Sequence, residues 1–555
     1  MLRITNARIA SQAVFFGLFV GAAWATWTSR LGGYPVSRFL ELDPLVFTTT
    51  LLSTGYVYRF LGAAVLIIAA TVLFGRVFCN WICPYGSLHQ LIGWLFNVRS
   101  HRERWAANRY RPIFALKYVG LGVFVVLAAF GSLQVGLLDP ICLLHRSFAT
   151  AIAPMFDGVV DGTRSALAGA GLDLPALAAV KLAPAGEPRA FIGSFWIGAL
   201  LVTLVALNVV VPRFFCRTLC PLGAFLGVLS RLALFRINRD ASACTNCNLC
   251  LTRCEGAADP AGQLRLSECF ACMSCIDDCP EDALRFTALR QDPEQVVATP
   301  DFGRRQLLFT GALGMLAFPL LKNNGLNTDA SYSPGLIRPP GSVEEGEFLK
   351  KCIKCEQCLK VCPTNVLQPA GLDIAGPEGL WTPVMVFNLG HCQLTCTLCS
   401  EVCPTGAIRR ITVEEKLGRG PYRSRGPLAL GTAFFDRGRC LPHAMQIPCV
   451  VCEEVCPVSP KAIQTEDEEV IDAFGQRVLL NKPFVVPDLC IGCGICQSEC
   501  PVTASRAVYV TAVGETRSAA RRLLLRRRSV LAAQAGAGDA PAASPGAALP
   551  ATPGQ

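Results

Sequence analysis

Most of the chemistry this chain can do resides in its 29 cysteines, which fall into tight, repeated spacings. Cys244, Cys247, Cys250 and Cys254 read C-x2-C-x2-C-x3-C, and Cys269, Cys272, Cys275 and Cys279 repeat the pattern, ending in Pro280. Three thiolates on one short loop can cap three irons of a cubane, while the fourth, three residues on, reaches the neighbouring cubane. The spacing predicts one [4Fe–4S] cluster on Cys244, Cys247, Cys250 and Cys279, and another on Cys269, Cys272, Cys275 and Cys254. A zinc ribbon is the competing reading, but zinc knuckles offer C-x2-C pairs rather than triplets. Glu255, where proline follows the other fourth cysteines, is a departure from the pattern.

Four further groups follow: Cys352, Cys355, Cys358 and Cys362; Cys392, Cys396, Cys399 and Cys403; Cys440, Cys449, Cys452 and Cys456; Cys490, Cys493, Cys496 and Cys500. All end in C-x2-C-x3-C-P and differ only in the first gap, as loop insertions in a repeated module would. They supply ligands for four more [4Fe–4S] clusters, six in total. Exchange of the fourth cysteine between consecutive groups and a nested first-with-last exchange both fit the spacing. Little apolar core is available here, so cluster binding should supply much of the folding free energy.

Two more pairs differ in kind. Cys79 and Cys83 lie in RVFCNWICPYG, and Cys216 and Cys220 in RFFCRTLCPLG. C-x3-C spacing on a helix places both thiols on one face. Brought together, the two pairs would hold one further cluster. Structural cysteines at a helix end are the alternative. Cys142 has no partner pattern and reads as a packing residue.

The elements that must position these groups are apolar. The chain is 52% hydrophobic and 17% charged, a membrane-like balance. Four uncharged runs, Ile9–Thr28, Phe60–Gly75, Tyr118–Leu138 and Ala190–Pro212, approach or reach the ~20 residues of a spanning helix. Arginines cluster before the first run, between the second and third, and after the fourth, which puts those segments in the cytoplasm. LDP follows the first run (Leu42–Pro44) and the third (Leu138–Pro140), and C-x3-C-P follows the second and fourth. Two copies in the same orientation should pack about an axis along the membrane normal. The expected fold is a membrane α-helical bundle of four spans in two parallel repeats, plus a fifth, carrying α+β bacterial-ferredoxin-like modules.

The fifth crossing is the stretch Asp301–Leu321, in which Arg304-Arg305 precede an apolar run like a twin-arginine export signal. A buried core helix with a basic cap is the alternative. Export would place residues 338–515 outside and leave residues 240–295 inside. The domains are then 1–239, 240–295, 301–325, 338–515 and an unstructured tail over 531–555, with a basic stretch at Arg521–Arg528.

None of the five histidines lies in the four runs, so no haem is expected. His145 and Arg146, with Asp139 nearby, sit on the outer side, where a quinol could release protons; they are the candidate catalytic residues. Interfacial anchoring is the competing role. No nucleophile–base set, phosphate loop or dinucleotide fingerprint is present. No basic block with interleaved aromatics suggests nucleic acid.

Residues 1–290 resemble the NapH-type membrane ferredoxin of periplasmic nitrate reductase systems, in LDPL, RVFCNWICP, LDPICLLHRS, CRTLCPLGAFLGVL and the paired ferredoxin motifs. Residues 302–510 resemble its NapG-type polyferredoxin partner, in GRRQLLF, IRPPG and CIKCEQCLKVCP. This chain joins the two. The resemblance implies a quinol dehydrogenase component of the bacterial inner membrane. It would draw on the lipid-borne quinone pool and pass electrons to a periplasmic cytochrome or reductase. NosR-type relatives share the membrane part and add an outer flavin domain; with the first run beginning at Ile9, none is expected here. A membrane redox sensor, and a donor complex with every cluster cytoplasmic, are the alternative functions. Clusters in series favour conduction, since a sensor needs only one.

Overall fold

The computed structural model describes residues 3–27, 38–96, 100–171, 189–288, 296–297, 300, 302–322, 334–471, 474–503 and 505–518. The tail expected over 531–555, Arg521–Arg528 and Asp301 lie outside them.

The N-terminal half is helical: α1 (Ile4–Trp27), α2 (Pro44–Thr54), α3 (Ala64–Phe74), α4 (Pro84–Leu95), α5 (Leu116–Ala129), α6 (Pro140–Ser147), α7 (Ser194–Ala206) and α8 (Pro221–Leu229). Two helical stretches among the described residues, Ile4–Thr26 and Pro112–Ala129, are long and apolar enough to cross a membrane. The other two apolar runs form shorter helices than their length suggested. The run from Phe60 begins in a 3-10 turn, leaving 11 α-helical residues in α3. The run Ala190–Pro212 yields 13 residues in α7. Beyond its end, the Asn208 side-chain carbonyl accepts the Arg213 amide (2.5 Å) and turns the chain away. Uncharged loop residues raise hydropathy as helical ones do, so the runs overstated the helices.

The two halves repeat in the same direction. Asp43 caps α2 by accepting from the Leu45 and Val46 amides, and Asp139 caps α6 by accepting from Ile141 and Cys142. Proline at the first helical position suits both starts, since its missing N–H needs no partner there. The two capping carboxyls lie close together where the repeats meet, and burial, then the Asp139 charge, raise the Asp43 carboxyl well above the usual carboxylate range.

Two cysteine-rich blocks close opposite ends of this bundle. One, residues 235–288, is bracketed by antiparallel β1 (Phe235–Arg239) and β2 (Leu284–Ala288). It touches the start of α1, where Thr5 bonds to Asp277, and the start of α5, where Lys117 pairs with Glu268. The other, residues 334–518, carries short two-stranded ribbons and covers the opposite end. There the Ser53 hydroxyl donates to the Lys350 carbonyl (3.1 Å), and Arg189 donates to the Lys360 carbonyl (2.8 Å). Gly136 approaches the Ile353 carbonyl so closely that a Cβ would overlap it. Within this block, burial opposes ionisation of Glu345, but Arg338 (2.5 Å) and Arg517 (3.0 Å) hold its carboxyl down at about 2.

Helix α9 (Arg304–Lys322) runs from the first block to the second along α5. Thr310 meets Gly122, Gly314 meets Val126, and Phe318 meets Phe130 (5.2 Å), so the two helices are parallel. At its end Lys322 pairs with Glu378 (2.9 Å) of the second block. Its outward face is apolar, with Leu308 and Leu320 more than 70% exposed at 76% and 71%.

Candidate metal centres

The four C-x2-C-x2-C loops share one backbone device. The residues either side of the central cysteine take left-handed φ in each C-x2-C-x2-C loop: Asn246 and Asn248, Ala271 and Met273, Lys354 and Glu356, Gly492 and Gly494. Such turns coil the loop so that its three thiols point inward. They are unfavourable for non-glycine residues and persist where the surroundings over-determine them, as a bound metal centre would.

The fourth thiol then comes from the partner group. Cys244, Cys247, Cys250 and Cys279 line one cavity of about 380 Å³. Cys254, Cys269, Cys272 and Cys275 line another of about 330 Å³. In the second block, Cys456 joins Cys490, Cys493 and Cys496 around a cavity of about 330 Å³. Cys500 in turn lies within electrostatic reach of Cys440 and Cys452, beside Cys449. Cys403 reaches Cys352, Cys355 and Cys358, and Cys362 reaches Cys392, Cys396 and Cys399. Exchange is therefore between consecutive groups, and the nested arrangement is not the one adopted. The thiols also receive backbone N–H donors: Ala258 to Cys254 (3.3 Å), Ile408 to Cys403 (3.4 Å) and Ala433 to Cys490 (3.5 Å). Hydrogen bonds of this kind tune cluster potentials. Among the described residues no three His, Cys, Asp or Glu side chains converge as on a single bare ion. Ligands of a four-iron cube stand apart across its corners, so four-thiol cavities suit a cluster.

The exchange makes a pairing-specific expectation. Cys456→Ser should perturb the cluster of Cys490, Cys493 and Cys496, and leave that of Cys440, Cys449 and Cys452 intact. Electron paramagnetic resonance of reduced protein would show one altered signal; loss of the other cluster would contradict the pairing.

The C-x3-C pairs also converge. Cys79, Cys83, Cys216 and Cys220 lie within mutual electrostatic reach, with Cys83 and Cys220 buried. The expected geometry needs correction, however, because no single helical face carries either pair. Cys79 lies in a short helix, Val77–Trp81, and Cys83 is the extended N-cap of α4. Cys216 and Cys220 are split in the same way by the start of α8. Proline after the second cysteine forces the break, since the residue before proline avoids α geometry. The capping Cys220 sulfur accepts from the Gly223 amide at 3.1 Å.

The arginine that opens each motif crosses to the other. The Arg76 guanidinium lies over Gly223, and that of Arg213 lies near Gly86. Both then stack on Phe270, at 4.6 and 5.5 Å from its ring centre. Phe270 stands between Cys269 and Cys272 of the first block. Arg76 also donates to the Ser267 carbonyl (2.6 Å). Glu255 pairs with Arg213 (2.5 Å) and Arg8 (2.8 Å), which gives the residue that replaces proline a docking role. A layer of two guanidiniums and one ring thus separates the C-x3-C thiols from a ferredoxin-type thiol set. The repeated arginines were visible in the sequence; their partner Phe270 carried no signal beyond its place in the motif.

At the other end, Asp139, His145 and Arg146 are fully buried beneath the second block. Gln357 contacts His145 Nδ1 (3.1 Å), and Arg146 donates to the carbonyls of Leu137 (3.0 Å) and Lys354 (3.3 Å) and stacks on Trp381 (4.2 Å). Cys142 is buried beside Asp139 and within electrostatic reach of Cys355. The outer trio is thus brought together as a docking surface against the loop of Cys352, Cys355 and Cys358. One apolar core joins Cys83 and Cys220 at one end to Cys142 and Cys355 at the other.

Family models for 4Fe-4S binding cover part of these thiol sets. A 4Fe-4S binding domain matches residues 56–103 and 192–240, the two C-x3-C segments; a 4Fe-4S dicluster domain matches 351–407, and a 4Fe-4S binding domain matches 483–504. The putative electron transport protein YccM of Escherichia coli K12 is 28% identical over 47% of this chain and 64% of its own length. The methylamine utilization ferredoxin-type protein MauM of Methylorubrum extorquens is 30% identical over 36% of this chain and 84% of its own. The ferredoxin-type protein NapG of Escherichia coli K12 is 30% identical over 37% of this chain and 83% of its own. The chain thus spans a little under two thirds of YccM and most of the other two. No solved structure matches the chain. With thiol sets arranged for cubanes and these relatives, the chain belongs to the ferredoxin-type proteins of the NapG and MauM kind and is an iron–sulfur electron-transfer protein that binds [4Fe–4S] clusters.

Proposed function

We propose that this protein is a multi-pass protein of the bacterial inner membrane that oxidises quinol and relays the electrons toward a periplasmic reductase or its cytochrome. Six [4Fe–4S] clusters would sit on the 24 ferredoxin-motif cysteines in the sets above, and a seventh on Cys79, Cys83, Cys216 and Cys220. When bound, each cluster supplies one-electron redox chemistry. The chain's residues fix the ligand sets, dock the blocks and exclude water from the core between them. Residues 240–295 face the cytoplasm, residues 338–515 the periplasm, and α9 is the crossing that links them. The NapH-like reading of residues 1–290 belongs to this proposal, as does the joining of two subunits in one chain.

The observation that carries this reading is the placement of thiol sets at both ends of one apolar bundle, with the C-x3-C set directly above the first block. A sensor has no use for such a series. The apolar outward face of α9 supports a lipid surround. The test uses the full chain in native membranes under argon. A reduced short-chain quinol should bleach the iron–sulfur absorbance of both blocks. Clusters that dithionite reduces but quinol leaves oxidised would remove the quinol reading. Thiol labelling of apo-protein from the cytoplasmic side at residues 338–515 would remove the topology.

A further inference from the structure

A cleft of about 280 Å³ opens where α1, α4 and the end of α7 meet the first block. Its floor is polar and buried, formed by His89, Asn208, Arg213 and Arg217, with Glu255 beside them. Its mouth is mixed and open to the bundle's outer face: Ile9 is 50% exposed, Trp94 73%, Phe96 57% and Val209 52%, beside the exposed Arg253 and the half-buried Arg104.

His89 is the unusual member. Its side chain is completely buried between aromatic rings, edge-on to Tyr85 at 4.8 Å and nearly parallel to Phe215 at 6.4 Å. Asn208 lies beside it and donates to its backbone carbonyl (2.8 Å). Neither imidazole nitrogen makes a well-formed hydrogen bond, and Arg213 Nη1 is likewise left over. Buried polar atoms without partners cost about 1–3 kcal/mol each, and His89 and Arg213, two residues lining this cavity, keep such atoms buried beneath its surface, where a polar ligand would satisfy them. Burial, and then the Arg213 charge, lowers the imidazole to about 4. It is therefore neutral at pH 7, with one nitrogen free to accept.

The rest of the ligand follows from the rim. A ligand that meets an imidazole acceptor and a guanidinium donor at its head, and exposed Trp, Phe, Ile and Val at its mouth, is a flat polar ring on an apolar tail. We propose that this cavity binds the ring of a membrane quinone or quinol, with His89 and Arg213 at the ring oxygens and Trp94 and Phe96 along the isoprenoid chain. The assignment rests on the quinol reading above. It moves the expected site from Asp139, His145 and Arg146 at the covered end to the opposite end. The location is apt because Phe215, which stacks on His89, directly precedes Cys216. The ring pocket and the C-x3-C thiols are therefore neighbours.

A photoreactive azidoquinone on the full chain in native membranes tests this without a reduction assay. Crosslinked peptides should come from residues 84–96 and 208–213, and excess unlabelled quinone should protect them. Label confined to residues 139–147, or no protected label, overturns the site. His89→Gln should weaken protection about tenfold, the loss of one buried hydrogen bond, at unchanged iron content. Labelling indistinguishable from wild type would remove His89 from the site. If that variant loses iron, the exposed-rim variant Trp94→Ala takes its place, with the same expected weakening. Protected label at residues 84–96 in membranes whose clusters quinol does not bleach would keep the site and sink the oxidation reading.

Discussion

The double variant Cys79→Ser, Cys216→Ser should release about four irons per chain, the content of one cubane, and leave the ferredoxin-type signals of both blocks in place. The pairs come from different repeats and converge without any local sequence contact, with the Gly223 amide bonded to the Cys220 sulfur as in a ligated site. Electron exchange between the blocks should fall steeply, because the set stands between the first block and the apolar core. Iron analysis and rapid-mix reduction followed in the two blocks separately would check both effects. Unchanged iron would make the four cysteines packing residues. Unchanged exchange would mean that electrons cross by another path.

A second large effect is expected from Glu268→Gln. This carboxylate is 2% exposed and is shared by Lys117, by Arg76 (3.9 Å) and by the Tyr118 hydroxyl (2.9 Å). Neutralising it leaves two buried cations without their counter-charge, a loss of ~3–5 kcal/mol for a broken buried pair. The cost should appear as detachment of the first block from the bundle, since Glu268 belongs to one and the cations to the other. Amide exchange at residues 3–8 and 267–272 should accelerate together, while the block keeps its iron. Arg253→Ala makes the control. Its pair with Asp278 (2.7 Å) involves a half-exposed arginine, where such bridges contribute ~0–1 kcal/mol. Equal exchange in the two variants would show that the docking does not depend on buried charge.

Much of the site was legible because ligand chemistry is written in local spacing. The motif cysteines group themselves by spacing, and Gly492 and Gly494 even display the left-handed turns that Asn246, Asn248, Lys354 and Glu356 make without glycine. The repeat of C-x3-C-P marked a pseudo-symmetric meeting point. What stayed hidden is tertiary. Which group lends its fourth cysteine to which depends on how two loops stack, and no spacing encodes it. Apolar runs gave membrane character but not helix length, because the turns beyond α7 are as uncharged as the helix. Arg213 reads as a topology signal and Arg76 as the opening residue of its motif, yet both are buried between a ring and two carboxylates. His89 gave no signal at all: in PYGSLHQL it is an ordinary helical histidine, and only its burial and its bare nitrogens distinguish it. Asp139, His145 and Arg146 illustrate the reverse, polar residues at a plausible depth that a second block covers.

The parallel seating of α9 on α5 has a kinetic consequence. Because one continuous chain runs the length of the bundle from the first block to the second, each donor centre meets a single acceptor at a fixed effective concentration, set by geometry and not by expression level. Transfer between the blocks should therefore be first order and insensitive to dilution in detergent or lipid. Two separate subunits doing the same work would slow as they dissociate.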